Sequence, residues 1–153
     1  MIKIMFVCLG NICRSPMAEF VFRDMVKKSG LSDEIMIKSS ATSRWEIGNP
    51  VHSGTRARLK KEGIDTSGKN AVQLTKNDFA EFDYLIGMES SNIRDMLKIS
   101  GNTHNEKVHK LLDFADGGDI ADPWYTGNFD VTYDDVLRGC NGLLEHLKEK
   151  YGI

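Results

Sequence analysis

Ile4-Met5-Phe6-Val7-Cys8-Leu9-Gly10-Asn11-Ile12-Cys13-Arg14-Ser15-Pro16 is the stretch on which the rest of the chain turns. Its first four residues are apolar without alternation, the pattern of a strand covered on both faces. Its last two, Ser15 and Pro16, read as the N-cap and first position of a helix. Between them runs a short loop from a cysteine to an arginine, with five residues separating the two. A strand that feeds a helix through such a loop is half of a parallel α/β unit. The helix start also offers unpaired N–H groups and partial positive charge to an anion.

Outward from this stretch, strands and helices alternate. Residues 2–7 form the first strand. Met17, Phe20, Val21 and Met25 mark one stripe of the following helix, widened by Phe22 and Val26 and stopped by Gly30. Ile35-Met36-Ile37 is a second strand running into Ser39, Ser40 and Ala41. Residues 42–54 read as a loop holding Trp45, Gly48 and Pro50, and His52 to Glu62 as a polar amphipathic helix pinned by Leu59. Thr75-x-x-Asp78 predicts another helix start, and Tyr84-Leu85-Ile86 a third strand. Ser91 reads as the cap of a helix carrying Ile93, Met96 and Leu97. Val108 to Leu112 suits a fourth strand, although a helix fits too. A Gly/Asp-rich loop from Asp113 to Asn128 follows. Thr132-x-x-Asp135 then opens a long helix with Tyr133, Val136, Leu137, Cys140, Leu143, Leu144 and Leu147 on its apolar stripe.

The alternation predicts an α/β fold with a parallel sheet and helices on both faces. Such sheets bind ligands outside the carboxyl ends of the strands, where strand order reverses. A central first strand puts the 8–15 loop at that crevice.

Bulk properties narrow the function. The 153 residues suit one domain, 1–153, and contain no repeat or linker. A formal net charge of −2 gives no basic footprint for nucleic acid. No apolar run approaches the roughly 18 residues of a membrane span. The N-terminus enters strand-like sequence without a signal peptide's apolar region. Three cysteines, an odd number, make no secreted disulfide framework, so a reducing cytoplasm is the expected compartment.

The loop's residue types suit a phosphate. Curling it so that several N–H groups point inward makes an anion nest. Gly10 takes positive φ freely, and Asn11 tolerates the left-handed region. Leu9, Gly10, Asn11, Ile12, Cys13, Arg14 and Ser15 are the expected phosphate-binding residues, with the planar fork of Arg14 gripping two oxygens. A helix N-terminus and a nearby cation lower a thiol pKa to roughly 3.5–7.5 from about 8.5, and the Ser15 hydroxyl adds a donor. Cys8 is then a nucleophile aimed at a phosphate monoester, and in-line attack yields a phosphocysteine. The leaving oxygen needs a proton. Asp122, held by Pro123 and followed by Trp124 and Tyr125, is the candidate, and would later activate water. No metal or cofactor enters this scheme.

Blander readings stand beside these. Asp-Pro is common turn chemistry, so the residues alone leave the role of Asp122 open. Cys13 is either an inert wall of the loop or the partner in a reversible disulfide that guards Cys8. Cys140 lies on the last helix's apolar stripe and reads as core. The Gly-x4-Gly-Lys-Ser/Thr nucleotide pattern is absent. The spacing of Cys8 and Cys13, with four scattered histidines, makes no zinc site. Asp113, Asp116, Asp119 and Asp122 miss EF-hand spacing and read as a solvated acidic loop. Trp45, Trp124 and Tyr125 are loop aromatics that either pack locally or wall a slot for a ring.

With these residues in view, the chain resembles the low-molecular-weight protein tyrosine phosphatases over nearly its whole length. The family's Cys-x5-Arg-Ser loop is matched by Cys8 to Ser15, and its Asp-Pro-aromatic motif by Asp122-Pro123-Trp124-Tyr125. Ser39-Ser40-Ala41 through Trp45 and Gly48, Phe82-Asp83-Tyr84 and Ser91 to Asp95 are similar too. The resemblance implies hydrolysis of phosphotyrosine in proteins, or of small aryl phosphates, through a phosphocysteine. It implies inhibition by phosphate- and vanadate-like anions. By the same resemblance Asp122 is the acid, Asn11 braces the loop, and Ile12, Trp45, Trp124 and Tyr125 flank the ring. The implied fold is a three-layer, flavodoxin-like one whose four-stranded parallel sheet has the order 2-1-3-4. Two departures stand out: Gly68-Lys69-Asn70 where many members carry a histidine, and Trp124 where tyrosine is common.

Three rivals share or mimic the loop. Thiol-coupled arsenate reductases relay oxidation through cysteines that Phe79 to Asp95 lacks. Protein arginine phosphatases carry a threonine where Ile12 stands, and an apolar side chain there suits a phenyl ring better than a guanidinium. A non-catalytic phosphotyrosine-binding module predicts a degraded nucleophile or acid, whereas Cys8 and Asp122 are both present.

Overall fold

Successive side chains of the first strand, β1 (Ile2–Cys8), point to opposite faces, and both faces are apolar. The computed structural model describes residues 1–153. Ile4, Phe6 and Cys8 enter the larger core with Met17, Val21 and Phe22 of α1 (Arg14–Lys28), Leu59 of α2 (Ser53–Lys61) and Val136, Cys140 and Leu143 of α6 (Phe129–Tyr151). Met5 and Val7 enter a second core with Phe79 of α3 (Lys76–Glu81), Met96 of α4 (Ser90–Ser100), Leu74 and Phe82. The unbroken apolarity of β1 thus sets a three-layer arrangement, helices on each side of one sheet.

The sheet has the order β2-β1-β3-β4, with β2 Ile35–Ala41, β3 Tyr84–Gly87 and β4 Val108–Lys110. Every pairing is parallel, with Cys8 level with Ala41 and Val7 level with Gly87. After β1 the chain crosses to β2 on one side and then to β3 on the other. The strand order therefore reverses at β1, and the crevice lies beyond its last residue, Cys8.

Several element ends differ from the sequence expectation. Helix α1 begins at Arg14 and not after Ser15. The Ser15 hydroxyl faces Cys8 Sγ at 3.0 Å and leaves its own helix uncapped. Helix α4 is opened by Glu89 and Asn92, not Ser91: Asn92 Oδ1 accepts from the Met88 and Glu89 N–H groups at 3.0 and 3.1 Å. Helix α6 starts at Phe129, capped by Asn128, whose Oδ1 accepts from the Val131 N–H at 3.1 Å. Thr132 lies inside that helix, and its hydroxyl bonds back to the Asn128 carbonyl at 3.2 Å. Strand β4 stops at Lys110 because Asp113 accepts from the Lys110 N–H at 3.0 Å, turning Leu111–Phe114 into a 3-10 helix. The stripe of α1 centres on Met17, Val21, Phe22 and Val26, with Phe20 and Met25 at its margin. The acidic loop contains a short helix, α5 (Pro123–Thr126).

Candidate active site

The loop after β1 is turned inside out relative to ordinary backbone. Its carbonyls are tied outward: Cys8 O accepts from the Thr42 N–H at 3.0 Å, Leu9 O from the Ser43 N–H at 3.0 Å, and Ile12 O from the His52 N–H at 2.8 Å. The Thr55 hydroxyl donates to Cys13 O at 3.2 Å. The N–H groups of Leu9, Gly10, Ile12, Cys13, Arg14 and Ser15 make no hydrogen bond within the protein. Carbonyls out and N–H groups free is the anatomy of an anion nest. Of the two residues the sequence offers for the left-handed kink that this needs, Asn11 takes it (φ 58°), while Gly10 keeps a negative φ.

Asn11 can hold that conformation because its side chain is fully engaged. Its Oδ1 accepts from the Val72 N–H at 3.1 Å, and its Nδ2 donates to Ser15 Oγ at 2.7 Å and to Ser39 Oγ at 2.9 Å. Since Ser15 Oγ accepts from Asn11, its own proton is free for Cys8 Sγ. The Asn11 N–H donates to the same sulfur at 3.3 Å. Ser39 in turn donates to the buried Glu19, which pairs with Arg23 at 2.6 Å and stands 3.8 Å from Lys69. Lys69 also donates to the Ser39 carbonyl at 2.8 Å. Burial lowers the Lys69 pKa despite the opposing charge of Glu19. Lys69 thus fills the position flagged as a departure with a cation that supports the back of the loop.

Arg14, the first residue of α1, is 2% exposed. Its guanidinium is fixed on two sides: Nη1 donates to Glu89 and, at 2.9 Å, to the Ile120 carbonyl, and Nη2 reaches Asp122 Oδ2 at 3.3 Å. Asp122 also caps α5, its Oδ1 accepting from the Trp124 N–H at 3.0 Å. Cys8 and Arg14 meet Asp122, distant in sequence, at a cavity of about 150 Å³. Leu9, Gly10, Ile12 and Cys13 form its floor, and Trp45, Glu46, Trp124 and Tyr125 its mouth. The side chains of Asn11 and Ser15 stand behind the loop and do not line the cavity. Ile12 is 9% exposed, while Trp45, Trp124 and Tyr125 are 77%, 58% and 78% exposed, so the slot has an apolar base and an open aromatic rim. Burial, helped by the neighbouring Cys8, pushes the Cys13 thiol up to about 12. Cys140 is wholly buried in the larger core, and burial raises its pKa.

Residues 3–152 match the family model described as low molecular weight phosphotyrosine protein phosphatase. The chain belongs to that family. Among curated relatives, the low molecular weight protein-tyrosine-phosphatase YfkJ of Bacillus subtilis is 42% identical, the match covering 98% of each chain. The crystal structure of YfkJ superposes with a TM-score of 0.95 over 98% of this chain and 96% of that one. The low molecular weight protein tyrosine phosphatase SP-PTP of Streptococcus pyogenes is 47% identical, with a TM-score of 0.87 over 99% and 98% of the two chains. DARP, the drosophila arginine phosphatase, is more distant at 27% identity, with a TM-score of 0.89 over 96% and 98%. The protein is therefore a phosphatase of the phosphotyrosine-hydrolysing class.

Glu19 and Glu89 carry no sequence signal for the phosphatase site, and Lys69 shows only as a departure from the family's pattern. The two glutamates look like ordinary surface charges, and Lys69 like loop polarity, because the partners that tie them to the site, Ser39 and Arg14, come from other elements. Burial raises the proton affinity of Glu89, but hydrogen bonds from Ser91 and Arg14, with the guanidinium's charge, outweigh it and leave the carboxyl below its usual range. The folded state therefore binds this proton less tightly than the unfolded chain. Glu89 contributes stability that is complete above the ordinary glutamate pKa of about 4.3 and is lost as pH falls through the depressed value. Glu89→Gln is expected to unfold at lower urea than wild type at pH 7, with the gap closing as the buffer is taken below pH ~4. A gap of constant size down to pH ~3 would show that the carboxylate charge is not what holds Arg14.

Proposed function

We propose that Cys8 is the nucleophile, that Arg14 and the loop N–H groups from Leu9 to Ser15 bind the phosphoryl group, and that Asp122 is first acid and then base. The convergence of the Cys8 sulfur, the free N–H groups, the Arg14 fork and the Asp122 carboxylate on one cavity carries this reading. The sulfur attacks phosphorus, the S–P bond forms as the bond to the phenolic oxygen breaks, and Asp122 gives its proton to that oxygen. Water then attacks the phosphocysteine, Asp122 takes its proton, and the S–P bond breaks to release phosphate and restore Cys8. Arg14 and the N–H groups stabilise the equatorial oxygens in both steps, since they are fixed before the reaction begins.

Ile12 at the base, with Trp45, Trp124 and Tyr125 at the rim, gives a flat apolar slot for the tyrosine ring. Phosphotyrosine proteins and small aryl phosphates are the substrates, and phosphate and vanadate compete for the same cradle. Residues 1–153 act as one catalytic unit. Three free cysteines suit work in the reducing cytoplasm.

Hydrolysis of p-nitrophenyl phosphate is expected to persist in excess EDTA and to be blocked by vanadate. Cys8→Ser is expected to abolish it, and retained turnover would eliminate the phosphocysteine route. Asp122→Asn is expected to lose about 10²- to 10⁴-fold on poor leaving groups and much less on activated esters. Equal losses on both would remove Asp122 from the acid role.

Cys13 lines the same cavity as Cys8, and both thiols are free. This favours a protective role over an inert one. Peroxide oxidises Cys8 to the sulfenic acid, releasing water, and the Cys13 thiol condenses with it to a disulfide with loss of a second water. Peptide mass spectrometry after mild peroxide is expected to find the Cys8–Cys13 crosslink, reversed by dithiothreitol with return of activity. Accumulation of sulfinic acid on Cys8 without a crosslink would rule the guard out.

A further inference from the structure

His52 has no part in the chemistry above, yet it touches both sides of the aryl slot. Its backbone N–H holds the Ile12 carbonyl at 2.8 Å. Its Nδ1 accepts from the Gly54 N–H at 3.0 Å and so caps α2. Its ring stacks on Phe129, with centroids 5.3 Å apart and planes 19° apart, and meets Trp124 edge to face at 5.7 Å and 78°. Phe129 in turn lies over Gly54, where a Cβ would stand 2.3 Å from the ring, so only glycine admits it this closely. Trp124, His52 and Phe129 form a strut of three rings that runs from the acid-bearing turn to the starts of α2 and α6.

Trp124 needs such a support. It lies on a four-residue helix and is more than half exposed, so its own segment does little to select one rotamer. An edge-to-face aromatic contact is the right size to do so. Ile12 is tied to the backbone of His52 and Trp124 rests on its ring. One residue therefore spaces the base of the slot from one wall.

We propose that His52 is a positioning residue that acts through Trp124 to set the width of the slot, and with it the preference for aryl over alkyl phosphates. The proposal rests on the reading of the slot given above. The test uses His52→Asn, which keeps the backbone N–H and a capping side chain but removes the ring. KM for p-nitrophenyl phosphate and for a phosphotyrosine peptide is expected to rise about two- to tenfold. KM for a small alkyl phosphate and Ki for inorganic phosphate, which report the cradle alone, are expected to stay near wild type. His52→Phe, which restores a ring without the cap, is expected to recover the aryl KM at a lower melting temperature. In a double-mutant cycle, adding His52→Asn to Trp124→Ala is expected to raise the aryl KM no further.

An unchanged aryl KM in His52→Asn would overturn the proposal. So would a parallel rise in Ki for phosphate, or additive effects of the two substitutions. Each of these is read against wild-type turnover that Cys8→Ser abolishes. If wild type itself fails to turn over aryl phosphates, the phosphatase assignment fails and not merely the role of His52.

Discussion

The side-chain amide of Asn11 is the point on which the site depends. A non-glycine residue in the left-handed region costs about 1–2 kcal/mol. The Asn11 amide makes three hydrogen bonds to buried or partly buried partners, each worth about 0.5–1.5 kcal/mol net, which is enough to offset that cost. The bonds do more than hold a kink. They orient the Ser15 hydroxyl toward Cys8, bring the Asn11 N–H onto the same sulfur, and tie the loop to β2 through Ser39. Remove the amide and nothing offsets the cost of the left-handed kink.

Charge is arranged around this frame in two shells that do not touch each other. Behind the loop, Glu19 is balanced by Arg23 and Lys69. In front, Arg14 is balanced by Glu89 and Asp122. A buried guanidinium with only one carboxylate would be free to swing. Held between two and a carbonyl, it presents a fixed edge, which is the preorganisation that transition-state stabilisation requires. In the proposed mechanism the chemistry is thus carried by residues whose positions are set by neighbours the substrate never meets.

How much of this was legible in the sequence depends on how local each signal is. The apolar run of β1, the Cys8-to-Arg14 spacing and the all-parallel α/β class are local patterns, and the observed strand order agrees with that expected. Asp122 was visible through its Pro-aromatic context, though geometry alone brings it to Arg14. The Ser15 hydroxyl is drawn to Cys8, while Ser91 and Thr132 give way to nearby caps, Glu89 with Asn92 in one case and Asn128 in the other, that start their helices earlier. Gly10 and Asn11 are both candidates for the positive φ, and hydrogen bonding of the Asn11 side chain puts it there alone. Lys69 stood out only as a departure, and the site roles of Glu19, Glu89 and His52 were not legible, since Ser39, Arg14 and Trp124 reach them from other elements.

The central claim is that one sulfur, held by this loop, carries the phosphoryl group. Acid-quenched Asp122→Ala protein mixed with p-nitrophenyl phosphate, analysed by intact-mass and peptide mass spectrometry, tests it most directly. The account predicts one added phosphoryl group, located on the peptide that contains Cys8 and absent from Cys8→Ser. An adduct on any other residue, or product formed with no adduct in an active sample, would contradict it.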